Sequence, residues 1–159
     1  MRRSFMAAFA AFFIASPAVA DQLVESWNVQ GWEGGAYSNA STGEIYCALW
    51  EDYGGGAGIW LGWDVSGFYM NITDPEGFNF QPETTFWTSI RIDQIYQADV
   101  EAYVMDPATI NIDFARDRRA IEAVRSGEKL YFDAWSIWYT LIGSGAAVSA
   151  IENCYANYN

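Results

Sequence analysis

Cys47 and Cys154 are the only two thiols in this 159-residue chain, and they lie near opposite ends of it. Cys47 falls in the alternating stretch Glu44 to Asp52, on the same face as Ile45 and Leu49. Cys154 falls in a helix-like segment after Gly143, on the face of Ala147, Val148 and Ile151, at the three-and-four spacing of a core stripe. If the two pair, the last element of the fold is fastened to one of its first strands. Two cysteines in an exported chain favour a disulfide over a metal site or a redox pair, which need closer spacing. A pair of this kind is a staple and carries no chemistry.

Export is read from residues 1 to 20: Arg2 and Arg3, an apolar run from Phe5 to Ile14, and the small-residue end Ala18-Val19-Ala20. These are the three regions of a secretory signal peptide, with cleavage expected after Ala20. The apolar run is shorter than the roughly 20 residues a bilayer span needs. Residues 21–159 contain no second run long enough to span, and they are expected to form a single periplasmic or secreted domain.

Strand signals dominate those residues. Asp21 to Gly43 holds one or two short strands, and a glycine turn at Tyr53 to Gly56 follows the Cys47 strand. Ala57 to Val65 and Gly67 to Thr73 read as a tight hairpin, and Asp74-Pro75-Glu76-Gly77 as a turn. Thr84 to Asp93, Ile95 to Met105, Thr109 to Phe114, Lys129 to Trp135 and Ile137 to Ile142 alternate in the same way. Ala115 to Ser126 reads as a short helix, and a second helix closes the chain with Ser144 as its expected amino-terminal cap. Seven or more short strands with two short helices, the second at the C-terminus, predict a mainly antiparallel all-β fold. It is either a sandwich or a partly open barrel.

The order of these features resembles a group of small exported domains of alphaproteobacteria, distantly like the invasion-associated locus B family. The marks are Tyr37 with Ser41-Thr42-Gly43 before Tyr46-Cys47-Ala48, the glycine-led strand Gly58 to Trp63, and Arg91-Ile92-Asp93. Arg125-Ser126-Gly127 before Leu130 and the closing Leu141-Ile142-Gly143-Ser144, Ala146-Ala147 and Cys154 continue the pattern. The resemblance implies an all-β periplasmic domain and carries over no catalytic residue.

Charge and composition then remove whole classes of function. The formal charge is −12, and loss of Arg2 and Arg3 with the leader takes it to −14, so a nucleic-acid partner would be repelled. The chain has no histidine, which removes Ser-His-Asp and Cys-His nucleophiles and the imidazoles that most zinc sites use. No calcium-loop spacing is present, and no metal or cofactor is expected. Asp93, Asp99, Glu101, Asp113 and Asp133 lie on or beside strands, but spacing alone selects no glycosidase pair among them.

The aromatic content is the unusual quantity, with 8 Trp, 10 Tyr and 10 Phe. Trp50, Trp60, Trp87 and Trp135, with Tyr69, Tyr103 and Tyr131, fall opposite the aliphatic rows of their strands. They form either an aromatic surface suited to sugars or another protein, or core beneath a second layer. The expectation is a non-enzymatic binding or accessory domain that meets an envelope protein or glycan through this aromatic, acidic surface. The alternatives are a carboxylate-dependent glycan hydrolase and an inhibitor of a basic enzyme such as a lysozyme. Oligomeric state is open.

Overall fold

The computed structural model describes residues 20–159. The signal segment read in the first 20 residues therefore lies outside the described residues except for Ala20. Ten strands and two helices follow in chain order: β1 (Gln22–Val29), β2 (Trp32–Ser38), β3 (Ile45–Gly54), β4 (Ala57–Trp63), β5 (Phe68–Thr73), β6 (Thr85–Ile92), β7 (Tyr96–Asp106), β8 (Thr109–Ala115), α1 (Arg118–Ser126), β9 (Lys129–Phe132), β10 (Ile137–Thr140) and α2 (Ser144–Tyr158). All ten strands join one sheet in the order β1-β2-β3-β4-β5-β8-β7-β6-β9-β10, and every neighbouring pair is antiparallel. The sheet curls into a half-barrel, so the partly open barrel is the architecture observed, and among the described residues no second sheet packs on the first.

The topology turns on the link between β5 and β6. A meander lays down β1 to β5, after which residues 74–84 cross the ends of β8 and β7 before β6 begins. Backbone bonds fix the crossing: Asp74 N donates to Ala108 O, Phe80 N to Pro107 O and Glu83 N to Val104 O, at 2.8 to 3.0 Å. Phe78 and Phe80 anchor it by edge-on and tilted ring contacts with Phe86, Phe132 and Trp135.

Alternation gives each strand an inner and an outer face. Leu49, Ile59, Leu61, Met70, Ile72, Ile110, Ile112, Ala102, Val104, Ile90, Ile92, Leu130 and Phe132 are all buried on the inner one. Both helices cover that face. Ala147, Val148, Ile151 and Cys154 of α2 are buried against β2, β3 and β4, and α1 packs on α2 through Ala120, Ile121, Ala123 and Val124. Arg125 ties the two helices together, donating to Ser149 Oγ at 2.8 Å and pairing with Glu152 at 2.7 Å.

Cys47 and Cys154 form the disulfide, with Cα atoms 6.2 Å apart and a sequence separation of 107. Closing a loop of that length removes chain entropy from the unfolded state worth about 4 to 5 kcal/mol.

The helix starts differ from the sequence reading for local reasons. α1 begins at Arg118 because Ala115 takes a left-handed φ of 49° and the Asp117 side chain caps the helix, accepting from Arg119 N at 2.8 Å. Ser144 does not cap α2. Gly143, at φ 83°, holds the cap position, and the buried Ser144 hydroxyl donates to Val124 O at 2.6 Å, joining the two helices.

Candidate functional site

With the helices on the inner face, no element among the described residues covers the outer face of the sheet, and its strand register composes a continuous row. Glu33 of β2 lies opposite Trp50 of β3, Trp50 opposite Trp60 of β4, and Trp60 opposite Asn71 of β5. Asn71 faces Asn111 of β8, and Asn111 faces Tyr103 of β7. The row thus reads carboxylate, two indoles, two carboxamides and a phenol. From Trp60 to Tyr103 it crosses three strand spacings, about 14 Å.

Two glycines on the outer face of β4 explain how the rings lie. A Cβ at Gly58 would come 2.1 Å from Trp50 Cη2, and one at Gly62 would come 2.2 Å from Tyr69 Cζ. Both rings therefore rest on bare backbone and lie along the sheet. Trp50 and Trp60 pack with centroids 5.4 Å apart, and Tyr37 and Tyr46 stack at 5.2 Å with planes 16° apart.

Beside the row the surface sinks into a depression of about 430 Å³, bounded by Tyr46, Tyr69, Asn71, Asn111, Tyr103, Met105 and the carboxylates Asp21, Glu44, Asp64 and Asp113. Among the described residues no lysine or arginine lines it. Its polar groups are held by the protein. Asp21 accepts from Tyr46 Oη and from Ala40 N, both at 2.9 Å. Asp64 Oδ1 accepts from Ser66 N and Asp113 Oδ1 from Ala115 N, each at 2.7 Å, and Asn111 Nδ2 donates to Asn71 Oδ1 at 2.7 Å. Burial raises the phenols of Tyr69 and Tyr46 above the ordinary tyrosine range. The Asp21 carboxylate adds to this at Tyr46, and the charge of Asp64 adds to it at Tyr69. Both phenols keep their protons, and remain donors, throughout the physiological range.

The residues singled out from sequence divide into three groups. Trp50, Trp60 and Tyr103 come together in the row, with Tyr69 beside it. Trp87 and Tyr131 share the outer face but stand apart: Trp87 is 70% exposed opposite Glu101, and Tyr131 lies under the Arg91 guanidinium at 4.0 Å. Trp135 does not join that face. The β9–β10 turn, with Ser136 at φ 55°, folds its indole inward among Phe78, Phe80, Phe86 and Phe132.

Tyr37, Tyr46, Asn71 and Asn111 were missed by sequence reasoning. The available signal was the pattern Gly58-Trp60-Gly62, in which small residues at alternate outer positions leave room for rings from the neighbouring strands.

The five strand carboxylates are dispersed. Asp93 accepts from Glu128 N at 2.7 Å, Asp99 accepts from Ser89 Oγ, Asp133 pairs with Arg91 at 3.3 Å, Glu101 faces Trp87, and Asp113 borders the depression. Among the described residues no group of three or more acidic or cysteine side chains is placed to hold a metal ion, and no helix is long and apolar enough to cross a membrane. Compared with known protein families, curated proteins and solved structures, the chain matches none.

Proposed function

We propose that this chain is an exported, non-catalytic binding domain of the cell envelope, and that the outer face of its sheet receives the ligand. The observation that carries the reading is the depression bounded by Tyr46, Tyr69 and Tyr103 on the face the helices leave bare. Concave surface with aromatic walls and a few fixed polar groups is the usual form of a small-ligand site. Asp21, Asp64 and Asp113 are held by backbone N–H groups as fixed acceptors, and the chain has no histidine to move a proton near neutral pH. Binding needs nothing more. Export is supported by the leader-like first 20 residues and by the Cys47–Cys154 bond, which persists in oxidising compartments.

The test is retention of the purified protein on washed envelope fractions, with the supernatant assayed for released reducing sugar. The expected result is saturable retention with no release, lost in a Trp60→Ala, Tyr103→Ala double variant that keeps its β-rich circular dichroism. Release of reducing sugar with a bell-shaped pH profile, abolished by replacing one carboxylate, would replace this reading with the hydrolase.

A further inference from the structure

We infer that the outer-face site takes a neutral saccharide, lying along the row from Trp60 to Tyr103 with one ring seated over Tyr69. The inference rests on the binding role just proposed and names the chemistry of its ligand.

The polar groups of the site decide between the ligands that its rings would accept. Asn111 spends its Nδ2 on Asn71 Oδ1, which leaves the Asn71 amide group and the Asn111 carbonyl oxygen with no hydrogen-bond partner among the described residues. Tyr69 Oη is likewise without one, and it stays protonated. The site therefore presents donors and acceptors side by side. A lysine or arginine side chain offers donors only, so it would satisfy the carboxylates and leave the N–H donors of the Asn71 amide unanswered. Sugar hydroxyls donate and accept, and so match both sets.

Charge excludes the acidic sugars. Asp21, Glu44, Asp64 and Asp113 border the depression with no cation among them, so a uronate or a sugar phosphate would enter against their field. A neutral hydroxyl instead donates to a carboxylate, which is a charge-assisted bond. The rings supply the apolar half of the contact: Tyr69 is laid flat by Gly62, and Trp60 lies next to Asn71 in the row, so the axial C–H faces of a pyranose meet π surface. The span of about 14 Å from Trp60 to Tyr103 suits a short linear oligosaccharide better than a single ring.

The experiment is amide chemical-shift mapping on the exported chain, titrated separately with maltotriose, tri-N-acetylchitotriose, trigalacturonate and hexa-arginine. Saturable shifts at Gly62, Tyr69, Asn71 and Asn111 are expected with at least one neutral trisaccharide. Affinity should be about tenfold lower or worse for trigalacturonate, and for Asn71→Ala and Tyr103→Ala with the neutral ligand. Tyr103 is 43% exposed, so its truncation leaves the fold intact should Asn71→Ala disturb the sheet. Absence of saturable shifts with both neutral trisaccharides, or tighter seating of hexa-arginine at the same amides, overturns the inference. If envelope retention through the outer face survives that outcome, the binding role stands and the sugar does not. If retention also fails, both fall.

Discussion

Gly62 of β4 carries the ring of Tyr69 of β5 on its bare backbone: a Cβ there would lie 2.2 Å from Tyr69 Cζ and 2.3 Å from Oη. A fixed phenol on an otherwise open sheet face is the pivot of the site. Gly62→Ala should lift or displace that ring and disturb the packing of β4 on β5, lowering stability by about 1 to 3 kcal/mol. It should also weaken ligand retention more than the stability loss accounts for, as chemical denaturation and the retention assay together will show. A variant equal to the wild type in both would mean that the ring is not held by the missing side chain.

The disulfide predicts a separate behaviour. Cys47→Ser or Cys154→Ser should lower stability by about 2 to 5 kcal/mol while the far-ultraviolet dichroism stays β-rich, because α2 loses its covalent tie and the strand ladder does not. Hydrogen exchange should show the loss of protection concentrated in α2. Free thiols or a disulfide-linked dimer in non-reduced mass spectra of the purified protein would contradict the pairing.

Trp87 and Trp135 separate surface from core. Trp87 is 70% exposed, and its change to alanine should shift stability by no more than about 0.5 kcal/mol. Trp135 packs on Phe78, Phe80, Phe86 and Phe132, and Trp135→Ala should cost about 3 to 5 kcal/mol. Melting curves of the two variants decide it, and a reversed order would place the indoles on opposite faces from those described.

Glu51 gives a pH signature. It lies on β3 with Oε2 buried and unpartnered, and its carboxyl is raised above the ordinary range, first by burial and then by the charges of Asp52 and Glu33. A raised folded-state value means that the native protein binds this proton more tightly than the unfolded chain does. The group's favourable contribution is therefore complete below the unfolded value of about 4.3 and is lost as pH rises through the folded one. Glu51→Gln should stabilise the protein at pH 7, and the gain should vanish near pH 4. A gain independent of pH would remove the carboxylate as its cause.

Much of this architecture was legible because antiparallel strands record their faces in a two-residue period. The rows Ile59-Leu61, Met70-Ile72, Ala102-Val104 and Ile110-Ile112 are buried where alternation puts them, and the Cys47–Cys154 bond follows from there being no other thiol. Strand order was not legible. Nothing local says that β5 pairs with β8 and not with β6, since that choice is made by residues 74–84 crossing two strand ends and by Phe78 finding the inner cluster.

The candidate site was read in part for the same reason. Alternation placed Trp50, Trp60 and Tyr103 on the outer face, but their assembly with Asn71 and Asn111 into one row depends on pairing between strands distant in sequence. Trp135 was misplaced because β9 ends at Phe132, and the turn over residues 133–136 breaks the two-residue period before the indole is reached. Ser144 looked like a cap because its type and position suit one, and tertiary contact with Val124 took its hydroxyl instead.

Oxidative footprinting of aromatic rings, with and without envelope glycan, tests the central claim that the outer sheet face is the binding surface. The account predicts protection of Trp60, Tyr69 and Tyr103, while Tyr158 of α2 and Trp138 of β10, 39% and 53% exposed in the free protein, react at unchanged rates. Protection confined to Tyr158 and the helix side, or no protection of Trp60, Tyr69 and Tyr103 at saturating glycan, would contradict it.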